Sequence, residues 1–181
     1  MAYLLRGLIV LMVAGMAITT LLALGVVHLK LGHIQVSIPA YLYTIFAQAF
    51  VMFYFIGVSR LVNNIHIILQ SGTQLKELFE VPPADLTPYM KQVNRFVYEA
   101  DTCKRQTIPW SILMIVLGMF AFLLGGAHDT NLVSKATHSG VVYGFLVAMV
   151  IGFFRQWYYL GKTHLLLRKL KTLFDIPDAQ M

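Results

Sequence analysis

Four long stretches of this chain carry no charged side chain, and each is about as long as a bilayer is thick. A helix needs about 20 apolar residues to cross the roughly 30 Å hydrocarbon layer. Leu8 to Val27, Ile38 to Val58 and Ile108 to Ala127 meet that requirement without an Asp, Glu, Lys or Arg. A fourth stretch runs from Thr137 to Phe154 and is closed by Arg155. Backbone amides in hydrocarbon have to be satisfied within their own segment, so each stretch is expected to be a helix. Composition agrees, since 58% of the 181 residues are hydrophobic and only 12% are charged, against about 25% charged in a soluble domain. The first stretch is longer than the roughly 7–15 apolar residues of a signal-peptide core and no A-x-A site follows it, so it is expected to remain as a helix.

The basic residues assign the sides. Arg6 precedes the first stretch. Arg60, Lys76, Lys91, Arg95, Lys104 and Arg105 lie between the second and third, and Arg155, Lys162, Arg168, Lys169 and Lys171 follow the fourth. The other two connections hold one each, Lys30 and Lys135. Lys and Arg accumulate on the cytoplasmic side, so both termini and the long connection are expected there, in a bacterial inner membrane. Trp110, Trp157, Tyr158 and Tyr159 then fall at the cytoplasmic interface as an aromatic belt. The net charge of +6 is thereby read as membrane topology, and no nucleic-acid partner is expected.

Three of the helices are expected to continue into the cytoplasm. Leu61, Ile65, Ile68, Leu69, Leu75, Leu78 and Phe79 extend an apolar face of the second to about residue 80, with a bend at Ser71 and Gly72 and a stop at Pro82 and Pro83. Thr87 and Pro88 form a helix start, and Tyr89, Val93, Phe96, Val97, Ala100 and Cys103 recur at helical spacing over 88–106. Cys103 is read there as a small buried hydrophobe. Pro109 marks the join to the third span, and Leu165, Leu170, Leu173 and Phe174 carry the fourth helix to about residue 174. The expected fold is thus an all-α integral membrane protein of one domain. It is a four-transmembrane-helix bundle, with spans at 8–27, 38–58, 108–127 and 137–155, and helices 2, 3 and 4 extend into a cytoplasmic helical stalk. The apolar stripes of that stalk bury one another or offer a surface to a soluble partner. The two halves share a faint parallel repeat, with Phe55 aligned on Phe153 and His66 on His164.

Candidate chemistry is sparse. His28, His33, His128 and His138 all fall on the outer side. Imidazole suits haem iron, copper and zinc, and haem b held in a bundle needs two histidines on facing helices. His28, His128 and His138 lie at helix ends where that is possible, while His66 and His164 are read as polar contacts in the stalk. Gly140, Gly144, Ala148 and Gly152 place a small residue at every fourth position of the fourth helix. Such a ridge lets another helix come close, and Gly118, Ala121 and Gly125 make a shorter version on the third. The polar side chains within the spans are neutral, and Gln48 is the deepest strong hydrogen-bonding group, expected to bond to a neighbouring helix. Ion pumps and proton-coupled transporters place charge at mid-membrane depth, so that class is disfavoured. No nucleotide-binding, hydrolase or metalloprotease motif occurs. The expectation is a small non-enzymatic membrane subunit, a scaffold, assembly or accessory component with membrane-protein partners or further copies of itself. A subunit binding haem b or a metal at the outer histidines is the alternative.

Overall fold

The computed structural model describes residues 1–28, 30 and 33–175, with His33 and Asp129 described by their backbone alone. Four helices make up the fold, α1 (Ala2–Ala23), α2 (His33–Ser71), α3 (Thr87–Asp129) and α4 (Lys135–Leu173). All four are long and apolar enough to cross a membrane. Among the described residues there is no strand. The helices form a ring in which each packs on its sequence neighbours, and α1 closes the ring with a thinner contact to α4.

Both hairpins turn on the same cap. In the first, Gly25 has φ of +70°, its N–H donates to the Leu22 carbonyl and that of Val26 to the Leu21 carbonyl. In the second, Asn131 has φ of +59°, its N–H donates to the His128 carbonyl and that of Leu132 to the Ala127 carbonyl. These are Schellman closures, which satisfy the last carbonyls of a helix through a left-handed residue. Gly25 therefore ends α1 at Ala23, four residues before the expected Val27, and leaves His28 beyond the helix. On the other side of the second turn, Ser134 caps α4 by accepting from the Thr137 N–H at 3.2 Å.

Two cores follow one another down the bundle. The first joins all four helices through Leu5, Ile9, Val51, Phe55, Met114 and Phe145 among others. Its centre is polar. The Gln156 amide donates to the Gln48 side-chain carbonyl at 2.6 Å and to the Ser111 hydroxyl at 2.9 Å. Gln48 in turn donates to Gln156 at 3.4 Å and reaches the Met12 sulfur at 3.1 Å. Gln48, Gln156 and Ser111 are each 0% exposed. The second core joins α2, α3 and α4 beyond the start of α1, through Val62, Leu69, Val93, Phe96, Leu166 and Leu170. Phe79, Tyr89 and Phe174 close its base with ring centroids 4.9–6.1 Å apart.

Two expected boundaries are corrected. α2 stops at Ser71, where Gly72 takes φ of +66°, and a short 3₁₀ turn at Leu75–Glu77 follows. The apolar stripe still packs, because Leu75, Leu78 and Phe79 lie against the second core from that turn. Pro109, read as a join, lies inside α3, which runs 43 residues without a break. Proline lacks the N–H for the carbonyl four residues back, here that of Arg105. Arg155 of α4 binds the next residue along. Its guanidinium donates to the Gln106 backbone carbonyl at 3.4 Å and to the Gln106 side-chain carbonyl, while lying 5.4 Å from the Trp110 ring centroid. Arg155→Met should lower stability by about 1–3 kcal/mol by removing these hydrogen bonds between α4 and α3, and an added Gln106→Ala should cost little more because its side-chain partner is already gone. Thermal unfolding of the detergent-solubilised single and double variants measures both effects.

Candidate functional site

The hairpin end of the bundle, expected from the charge distribution to be the outer one, brings two of the four rim histidines together. His128 stands in the last turn of α3 and His138 in the first turns of α4, and the tight turn between them sets their rings 6.0 Å apart at 11° between planes. The His128 Nδ1 atom lies 3.2 Å from the Val133 carbonyl oxygen, which fixes its ring against the turn. His138 packs against α3, since a Cβ at Gly125 would sit 3.2 Å from its Cε1 atom. His28 is exposed in the α1–α2 connection, and the His33 side chain lies outside the described residues. Among the described residues no three His, Cys, Asp or Glu side chains gather as a metal would require.

Beneath the histidine pair a cavity of about 290 Å³ opens between the four helices. Met16 and Thr19 of α1, Tyr41 of α2, Gly118 and Ala121 of α3, and Phe145 of α4 form its deeper walls. His138 lines it together with Ala23, Ile34 and Gly126 towards the outer end. Enclosed and empty, a void of that size would cost on the order of 7 kcal/mol. Glycine makes room for the rings that line it. A Cβ at Gly118 would lie 2.7 Å from Tyr41 Cε2 and 3.3 Å from Phe145 Cε2, so two rings rest directly on the α3 backbone there. The Tyr41 hydroxyl donates across to the Ile115 carbonyl at 3.1 Å. The small face of α3 thus receives side chains and borders a cavity, where close approach of a helix backbone was expected.

The small residues of α4 divide into two groups. Ala148 and Gly152 are buried, and a Cβ at Gly152 would meet the Met114 side chain at 2.7 Å. Gly140 and Gly144 are exposed, and a Cβ added at either would meet nothing within 4 Å. The reason is rotational. At 3.6 residues per turn each fourth residue advances about 40°, so four such positions sweep about 120° and cannot all face one neighbour.

Nearer the second core, an open groove runs between α3 and α4. Tyr89, Phe96, Leu165 and Leu173 floor it, and Arg95, Arg168 and Lys169 stand on its rim. Arg95 pairs with Glu99 at 3.0 Å. The other ion pairs among the described residues join Lys104 and Arg105 to Asp101 at 2.6 and 2.7 Å, and none of them takes Arg168 or Lys169. Lys104 donates to the Asp101 carboxylate and, with Arg105 beside it, holds that group below the usual carboxylate range.

Comparison of the chain with protein-family models, with curated proteins and with solved structures finds no match. Function has to be argued from the geometry alone.

Proposed function

We propose that this chain is a small non-enzymatic integral membrane subunit that holds a soluble protein at its cytoplasmic end. One observation carries this reading. Every buried polar residue among those described is neutral, namely Thr19, Thr44, Gln48, Thr107, Ser111, Gln156 and Thr163. A path for ions or protons needs ionisable groups or water at that depth, and a catalytic centre needs an acid, base or nucleophile within reach of substrate. The bundle centre instead spends its polar groups on one another.

Membrane placement is supported by the outside of the helices. Leu11, Leu42, Phe53, Val147 and Phe154 are 60–70% exposed, and an apolar belt of that extent is tolerated against lipid and not against water. The belt ends where cations meet rings. Arg6 lies 4.7 Å from the Trp157 centroid, and Arg155 lies 5.4 and 5.9 Å from those of Trp110 and Tyr159. Such pairs suit a headgroup layer. With the excess of Lys and Arg beyond that level, the termini and the three-helix end are assigned to the cytoplasm and the histidine pair to the opposite face.

The basic groove is the surface offered to the partner. Arg168 lies thirteen residues past Arg155, about 20 Å along the helix. The headgroup layer is only about 5–8 Å deep on each side, so an anionic lipid does not reach it. An acidic amphipathic segment of a soluble protein satisfies both the apolar floor and the Arg168 and Lys169 charges on the rim. The alternative of haem b or a bound metal now rests on His128 and His138, since His28 stands apart from them. The cavity beside that pair is at the lower limit of ordinary ligand pockets, which favours a slender occupant over a macrocycle.

Two measurements test the proposal. A Thr130→Cys variant should react with a membrane-impermeant maleimide on intact cells, because Thr130 is exposed in the α3–α4 turn and the native Cys103 is buried. Reaction only after lysis would reverse the orientation. In the complex purified from its own membranes in mild detergent, Arg168→Glu with Lys169→Glu should weaken retention of the soluble subunit at least tenfold, or about 1.4 kcal/mol. Undiminished retention would remove the groove from the account.

A further inference from the structure

The cavity in the outer half has no part in holding a cytoplasmic partner. Its shape is a slot. Gly118 and Gly125, which border it, lie seven residues apart on α3, about 10 Å along the axis. A ring rests on each of them, Tyr41 at the deeper end and His138 at the outer end. A dry cavity of roughly 150 Å³ takes a six-carbon ring. The 290 Å³ here therefore corresponds to about ten to twelve carbon-sized groups.

Its walls present carbon to an occupant. The Thr19 and Thr20 hydroxyls donate to the Gly15 and Met16 carbonyls, that of Ser37 to Ile34, and that of Tyr41 to Ile115. The His138 imidazole brings nitrogen to the outer end of the slot.

We infer that the slot binds a single-chain amphiphile, its acyl or prenyl chain lodged between Tyr41 and His138 and its polar head at the outer end beside the imidazole. This rests on the membrane placement proposed above, because the surrounding lipid phase supplies such molecules. In that phase apolar burial gives no advantage over bulk lipid tails. Selectivity comes from the fit of the chain against the Tyr41 and Phe145 rings and from the His138 imidazole beside the head. An isoprenoid quinone and a fatty-acid chain share this chemistry, the first with a carbonyl head and the second with a carboxylate.

Direct titration distinguishes them. The full-length protein in lipid nanodiscs is titrated with decylubiquinone and, separately, with the fluorescent fatty acid cis-parinaric acid. One saturable equivalent is expected for at least one probe. Ala121→Phe and Val142→Phe, each filling the slot from a different helix, should weaken that binding at least tenfold, and His138→Ala by roughly three- to tenfold. The tighter probe identifies the source of the chain. Binding that is the same in the wild type and both filled variants, for both probes, is partition into lipid and overturns the inference. Maleimide labelling of Thr130→Cys on intact cells reads membrane placement separately, so failure of the site and failure of the placement are distinguishable.

Discussion

The reciprocal hydrogen bonds between Gln48 and Gln156, with Ser111 and the Met12 sulfur at their edges, touch one residue from each of the four helices. Helices surrounded by lipid gain little from burying apolar faces, since the solvent is as apolar as they are. Packing and hydrogen bonds decide their register. Two fully buried primary amides have each other, Ser111 and the Met12 sulfur to satisfy them, and leaving either unpaired costs about 1–3 kcal/mol. Sliding any helix by one turn would break the set. The position of α4 against α2 and α3 is thereby fixed, and with it everything at the two ends.

At the outer end that register puts Tyr41 over Gly118 and His138 over Gly125. The slot lies in the half where those rings seat on α3, and α1 meets α4 only thinly. At the other end it brings Arg155 to the Gln106 carbonyls and so ties α4 to the long unbroken rod of α3. That rod, paired with α4, forms the basic groove. The bundle is thus one frame with a neutral centre, an apolar cavity towards one end and a basic groove towards the other.

Much of this was legible in the sequence, for physical reasons. Charge-free runs of span length have few outcomes besides membrane helices, and the stripe from Tyr89 to Cys103 could only be helical. Gln48 stood out as a lone amide in mid-span, and the expectation that it bonds across helices holds. Gln156 did not stand out. It follows Arg155, where the span was read to end, and sequence cannot show that a residue at a boundary turns inward. Ser111 was hidden in the same way by Trp110 and Pro109. The α1 terminus at Ala23 was missed because Gly25 fits an apolar run as well as it fits a left-handed cap. The glycine faces misled in a different sense. Spacing of four marks small residues but does not say whether a helix or a side chain fills the space, and both Gly118 and Gly152 receive side chains. The pairing of His128 with His138 depends on the five-residue turn between α3 and α4, which no motif announces.

The claim that the amide pair sets the register of the bundle is tested most directly by a double-mutant cycle at Gln48 and Gln156. Unfolding of the detergent-solubilised protein is followed for the wild type, Gln48→Leu, Gln156→Leu and the double variant. Each single change should cost about 1–3 kcal/mol by stranding the partner amide. The double change should cost less than their sum, with a coupling of at least about 0.6 kcal/mol. Single effects that add to within about 0.3 kcal/mol would show two independent side chains, and would contradict the account.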